Sequence, residues 1–369
     1  MKKSSYFLIL VILLLPLVGC SSNSDKVSKE DNIPNLKVGY IFTNHHTALM
    51  TAASKGEEFK GEGIYLKKDI DREKYTLMKD DKPVAKLDLV VTKNGSETMT
   101  MMGQGHLDLG LASSAANIAA MDKGNKIKIL SPVHTEGIGL VVGKDSSINN
   151  WDELLKELEN RDEPMKIGYH SPTSAPVILF EAAIKEAGIS YSNNPQNLDA
   201  DILLVDLKGT SNLIPALSSN QVDGWVGPSP YPELSQTEKV GKIILDMKHL
   251  PPEGKWHDFP CCVASATEKT MERYPEVVED FMSLLTVSAN YSEKNKEEAA
   301  EIVAKWTGVS EEAAKMSSIK YTTDPNETWV SNVELIFNAL KDSNKLNDNF
   351  KDKEYKKIKD ILYNFNYVK

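Results

Sequence analysis

From residue 35 onward the sequence repeats one pattern: a short apolar, β-branched run, a polar turn, then apolar positions spaced as one face of a helix. Residues 36–42 read as a strand, Thr43-Asn44-His45-His46 as the turn, and residues 47–59 as a helix whose inner face carries Leu49, Ala52, Ala53 and Phe59. The pattern resumes with strands over 64–67, 87–92, 106–112, 127–132 and 137–143 and helices over 95–105 and 115–123. A second series sets strands over 165–169, 201–207, 222–226 and 243–247 among helices over 151–158, 177–187 and 212–219. Such alternation predicts an α/β protein with mostly parallel sheets and helices on both faces. Open sheets bind ligands beyond the carboxyl ends of their strands, so two such lobes facing each other predict a shared ligand cleft.

Two stretches depart from the alternation. Residues 67–86 are charged, with Lys79-Asp80-Asp81-Lys82-Pro83 at the middle, and read as an added hairpin outside the core. After a strand near Phe259, helices fill the rest of the chain, over 268–274, 276–293, 296–305, 310–315, 325–343 and 352–363.

The N-terminus sets the expected compartment. Lys2 and Lys3 precede an apolar run over 6–18, so residues 1–19 read as a signal peptide. That run is shorter than the roughly 20 residues a bilayer span needs. Leu17-Val18-Gly19-Cys20 resembles the bacterial lipobox, which implies lipidation of Cys20, and residues 20–34 then form a polar tether. The expectation is a body held at the extracytoplasmic face of the cell membrane by acyl chains such as palmitate. A net charge of −10 with no basic cluster argues against nucleic acid, whose phosphates demand Lys and Arg.

Motifs along both series resemble a family. They are Val38-Gly39-Tyr40; Gly103-Gln104-Gly105-His106-Leu107-Asp108-Leu109-Gly110; Asp122-Lys123-Gly124-Asn125; Glu136-Gly137-Ile138-Gly139; Gln221-Val222-Asp223-Gly224; and Tyr274-Pro275-Glu276. In this order they resemble the substrate-binding proteins of the nitrate, sulfonate, taurine and thiamine-precursor ABC importers. The resemblance implies the two-lobed type II periplasmic binding protein fold. It assigns 35–142 and 259–369 to lobe I and 143–258 to lobe II. It further implies a monomer that delivers a small anion or small organic solute to permease and ATPase subunits. Where the family carries Trp-Glu-Pro, this chain has Pro228-Ser229-Pro230, so the ligand is not fixed by the likeness.

Candidate cleft residues come from the turns at strand ends: Thr43, Asn44, His45, His46, Ser113, Ser114, Ser174, Thr210 and Ser211, joined by Glu136, Tyr231 and Cys261. Helix N-termini there offer unpaired N–H groups and partial positive charge, although each hydroxyl could equally cap its own helix. Arg72, Arg161 and Arg273 are the only arginines, and none falls in a cleft turn, which disfavours a guanidinium clamp.

Two adjacent pairs stand out, His45-His46 and Cys261-Cys262. Neighbouring side chains on a strand point to opposite faces, so Cys261 is expected to meet the cleft and Cys262 to enter a core. His45 or His46 with Cys261, and His134 as a further donor, supply workable metal ligands, yet nothing in the spacing demands an ion. No cofactor and no enzyme activity are expected, since no nucleophile, base and orienting acid assemble. The alternatives left open are a metal-binding protein or metal-dependent enzyme, and a ligand sensor for a membrane partner.

Overall fold

The computed structural model describes residues 33–368, so the expected signal peptide, most of the expected tether and Cys20 lie outside the described residues. A seven-stranded sheet runs in the order Ile64–Ile70, Lys74–Lys79, Lys82–Val91, Asn35–Tyr40, Leu109–Ser113, Cys262–Thr267, Ile127–Pro132. A six-stranded sheet runs in the order Tyr191–Ser192, Ile202–Asp206, Met165–Tyr169, Gly224–Pro228, Ile138–Gly143, Gly241–Asp246. The α/β class and the two lobes are those predicted, but the sheets are mixed. Parallel pairs occupy the middle of the seven-stranded sheet, where Asn35–Tyr40 lies between Lys82–Val91 and Leu109–Ser113, and in the six-stranded sheet they run from the edge strand Tyr191–Ser192 to Gly224–Pro228. Antiparallel neighbours are segments that cross between lobes or double back in a hairpin, and both arrive reversed.

One strand changes lobe. The sequence reading puts residues 138–142 in the first lobe; Ile138–Gly143 instead pairs with Gly224–Pro228 and Gly241–Asp246 in the second sheet. The first crossing therefore lies at residues 133–137, upstream of the expected position. An apolar strand buried on both faces carries no mark of which sheet it will join. The charged segment does form a hairpin, yet its inner face is core: Tyr75 and Leu77 are buried.

Each lobe packs for the reason its pattern gave. Trp151–Glu159 buries Trp151, Leu154 and Leu158 on one helical stripe. Trp225 is fully buried among Leu213, Leu217 and Val222, so it is packing and not a stacking platform. Burying one such large side chain contributes about 1.5–3 kcal/mol. The C-terminal segment returns to the first sheet, where Asn364 N–H donates to the Ile129 carbonyl at 2.9 Å. Among the described residues no helix is long and apolar enough to cross a membrane.

Candidate functional site

The carboxyl ends of strands from both sheets converge. Asn35–Tyr40 leads to Thr43 and His45, and Leu109–Ser113 ends on Ser113. From the second sheet, Met165–Tyr169 leads to His170 and Ser174, and Ile202–Asp206 leads to Thr210. With Cys261 and Cys262 these side chains line a cavity of about 30 Å³. One water needs roughly 10–15 Å³ measured this way. The closed space thus holds an ion or a very small guest, and anything larger requires the lobes to part.

Hydrogen bonds across the seam hold the lobes together. Thr43 Oγ1 donates to the Ser229 carbonyl at 2.6 Å, and Tyr231 OH donates to the Phe42 carbonyl at 3.2 Å while accepting from Thr210 Oγ1 at 3.1 Å. Ser113 Oγ donates to the Thr173 carbonyl at 3.1 Å. Thr43 and Ser113 also accept from His45 N–H and Ala116 N–H, so the same hydroxyls cap their helices. Ser174 Oγ and His170 Nδ1 are buried with no partner in the protein.

The other candidates lie around the cavity without lining it. His46 Nδ1 accepts the Ile41 amide at 2.9 Å. Ser114 Oγ donates to the Pro260 carbonyl at 2.8 Å, and Ser211 is exposed. The Asn44 side chain is buried without a partner. Glu136 sits at the crossing, pairing with Lys248 at 3.0 Å and accepting the Asp258 amide at 3.3 Å. None of the three arginines lines the cavity: Arg72 caps carbonyls of Lys305 and Trp306, Arg161 faces Asp223, and Arg273 lies over Tyr274. The turn-by-turn reading passes over the lining residues Ser96 and Ser171 and, most consequentially, His170. Its signal is visible, since it follows a strand end like the others.

Both cysteines face the same group, which corrects the expectation of one outward and one in the core. Cys261 Sγ lies 3.2 Å and Cys262 Sγ 3.7 Å from His45 Nδ1, with the sulfurs 4.0 Å apart. The alternation rule applies within a pleated strand, and the strand starts only at Cys262. Both are free thiols. His134 completes the group, its ring 4.1 Å from that of His45.

Electrostatics separate these side chains. Burial pushes the Cys261 thiol well up, reinforced by Cys262. Burial also pushes Cys262 up, but the hydrogen bond from Cys261 and the adjacent His134 and His45 outweigh it and hold that thiol well below its ordinary value. Burial, then the neighbouring His45, lowers both His134 and His170 to about 4, so both are neutral at pH 7.

Glu233 supports the seam by accepting Ser229 Oγ at 2.6 Å. Burial raises its carboxyl from 4.5 to about 7, against the opposing Ser229 bond. The folded state therefore binds this proton more tightly than the unfolded chain. The resulting contribution is favourable at low pH and is lost as pH rises from 4.5 through 7. Glu233→Gln should match the native chain at pH 4.5. By pH ~8 it should be more stable by up to about 3 kcal/mol, read from urea denaturation at each pH.

Two α/β lobes closed over a polar cavity at their strand ends define a clamshell ligand-binding protein. The chain belongs to the NMT1-like family, whose model matches residues 29–308. An uncharacterized protein of Methanocaldococcus jannaschii is 34% identical over 144 residues, which is 38% of this chain and 96% of that protein. Among solved structures, the ligand-binding component of an ABC-type import system from Staphylococcus aureus, with zinc bound, matches with TM-score 0.69 and 18% identity, over 90% of this chain and 97% of that one. The periplasmic nitrate-binding protein NrtA of Synechocystis matches with TM-score 0.69 and 14% identity, over 91% and 87%. The alkanesulfonate-binding protein SsuA of Xanthomonas axonopodis, bound to MOPS, matches with TM-score 0.63 and 13% identity, over 85% and 95%. At these identities the likeness establishes the fold.

Proposed function

We propose that this chain is the solute-binding component of an ABC importer, anchored through Cys20, which closes on a small anion or small organic solute and presents it to a permease. It acts by binding and release and performs no chemistry on its guest. The observation that carries this reading is a cavity fed by strand ends of both lobes, with Ser174 Oγ and His170 Nδ1 left there unpartnered. Family membership and neighbours that bind nitrate or a sulfonate support it. Closure is a hinge motion at the crossing segments, 133–137 and the stretch before Cys262.

Thermal shift of the purified chain against nitrate, alkanesulfonates, pyrimidines and amino-acid-like solutes tests the proposal. A true solute at a hundred times its Kd should stabilise the fold by about 2.7 kcal/mol. Turnover of any of these compounds, or binding that leaves Ser174→Ala and Thr210→Val unaffected, would refute it.

A further inference from the structure

We propose that His45, His134, Cys261 and Cys262 form a four-coordinate site for one zinc(II)-class cation at the inner wall of the cleft. Their donor atoms all lie within 4.8 Å of one another, and all four residues are buried. Zinc–sulfur and zinc–nitrogen bonds of about 2.3 and 2.0–2.1 Å place tetrahedral ligand atoms about 3.8 Å apart for sulfur pairs and about 3.5 Å for sulfur with nitrogen. The observed 3.2 and 3.7 Å from His45 Nδ1 to the two sulfurs bracket the second edge, and the 4.0 Å between sulfurs lies just above the first.

The rings are oriented for this. A carbonyl only accepts, so the 2.8 Å contact between His45 Nε2 and the Gly137 carbonyl makes Nε2 the protonated nitrogen and turns the Nδ1 lone pair onto both sulfurs. His134 Nδ1 likewise faces the Thr135 carbonyl at 3.3 Å, leaving Nε2 as the donor atom, which now holds the Cys262 amide only at 3.3 Å. Gly137 and Thr135 thus act as outer partners that fix tautomers, as backbone carbonyls do around bound metals.

Charge selects the cation. A divalent ion with two thiolates is neutral, which suits a buried site whose lining contains no lysine, arginine, aspartate or glutamate. A monovalent ion such as copper(I) would leave one negative charge uncompensated there. Soft sulfur and imidazole donors exclude magnesium and calcium. From the opposite lobe His170, 6% exposed and unpartnered at Nδ1, lines the same cavity, so closure brings a fifth polar group toward the ion. His46 takes no part, being committed to the Ile41 amide.

The site stands on its ligand atoms and does not depend on the importer reading. The test strips the full chain of metal under a non-thiol reductant and titrates it with zinc(II), cobalt(II) and copper(I). One equivalent of zinc should bind. Cobalt(II) should give tetrahedral visible bands with thiolate charge transfer, and X-ray absorption of the zinc-loaded native chain should show two sulfur and two nitrogen neighbours. Cys261→Ser, Cys262→Ser, His45→Gln and His134→Gln should each weaken zinc by about a hundredfold or more, while His46→Gln leaves it unchanged. The absorption measurement needs no variant, so misfolding of a mutant cannot mask the answer. An all-oxygen shell, no stoichiometric binding, or binding of copper(I) but not zinc overturns the assignment. A chain that takes no metal yet is stabilised by one of the solutes above loses this site and keeps the importer reading.

Discussion

Replacing Asp122 by alanine is expected to cost about 3 kcal/mol of stability and to release the C-terminal segment from the first lobe. Asp122 ends the helix Ser114–Asp122 and is buried. Its carboxylate accepts the amides of Asn347 at 3.0 Å, Asp348 at 3.2 Å and Phe350 at 2.6 Å, and its carbonyl accepts two more bonds from Asn349. Hydrogen bonds to a charged acceptor contribute roughly 1.5–3 kcal/mol each. Asn347, Asp348 and Asn349 are exposed, so water replaces much of what their amides lose, whereas Phe350 is buried and its amide is not so compensated. Urea denaturation should give the stability loss, and hydrogen exchange should show the Phe350 amide opening faster. Unchanged exchange at that amide would contradict the anchoring role.

Lys345→Met should destabilise the protein by about 3–5 kcal/mol at pH ~8, because it strands a buried carboxylate. Glu181, on the helix Ala175–Glu186 beside the second sheet, is 3% exposed, and both its oxygens accept Lys345 Nζ, at 2.7 and 2.6 Å. Burial raises the Glu181 carboxyl while Lys345 pulls it back, and burial lowers Lys345 while Glu181 pulls it up. With the lysine gone, the glutamate loses its counterweight and its folded-state pKa climbs further. The penalty is then full at high pH and shrinks as pH falls and the carboxyl takes a proton. The double variant Glu181→Leu, Lys345→Met removes both charges and should recover most of the loss. Equal destabilisation at pH ~5 and ~8 would rule out the charge as its source.

That ion pair lies outside anything the sequence could announce, because it joins residues 164 positions apart. Local pattern did carry far. The strand Met165–Tyr169 and the six tail helices fall where periodicity put them, since each owes its place to its own apolar face. Contacts decided by the crossing between lobes were not legible. His45 and His46 are identical neighbours, yet one meets two sulfurs and the other caps the Ile41 amide, a choice made by the turn Thr43–His46. His134 belongs to a two-residue strand paired with Lys320–Tyr321, a match no window of sequence shows. The cysteines share a face because Cys261 stands one residue ahead of the pleat.

The narrowness of the cavity has a consequence for selection. A guest entering about 30 Å³ must arrive stripped of nearly all its hydration shell. Selection then rests on whether the lining replaces the lost water, and sulfur and imidazole donors do so for a soft cation but not for magnesium. Discrimination here begins as a toll on solvation, with shape consulted only afterwards.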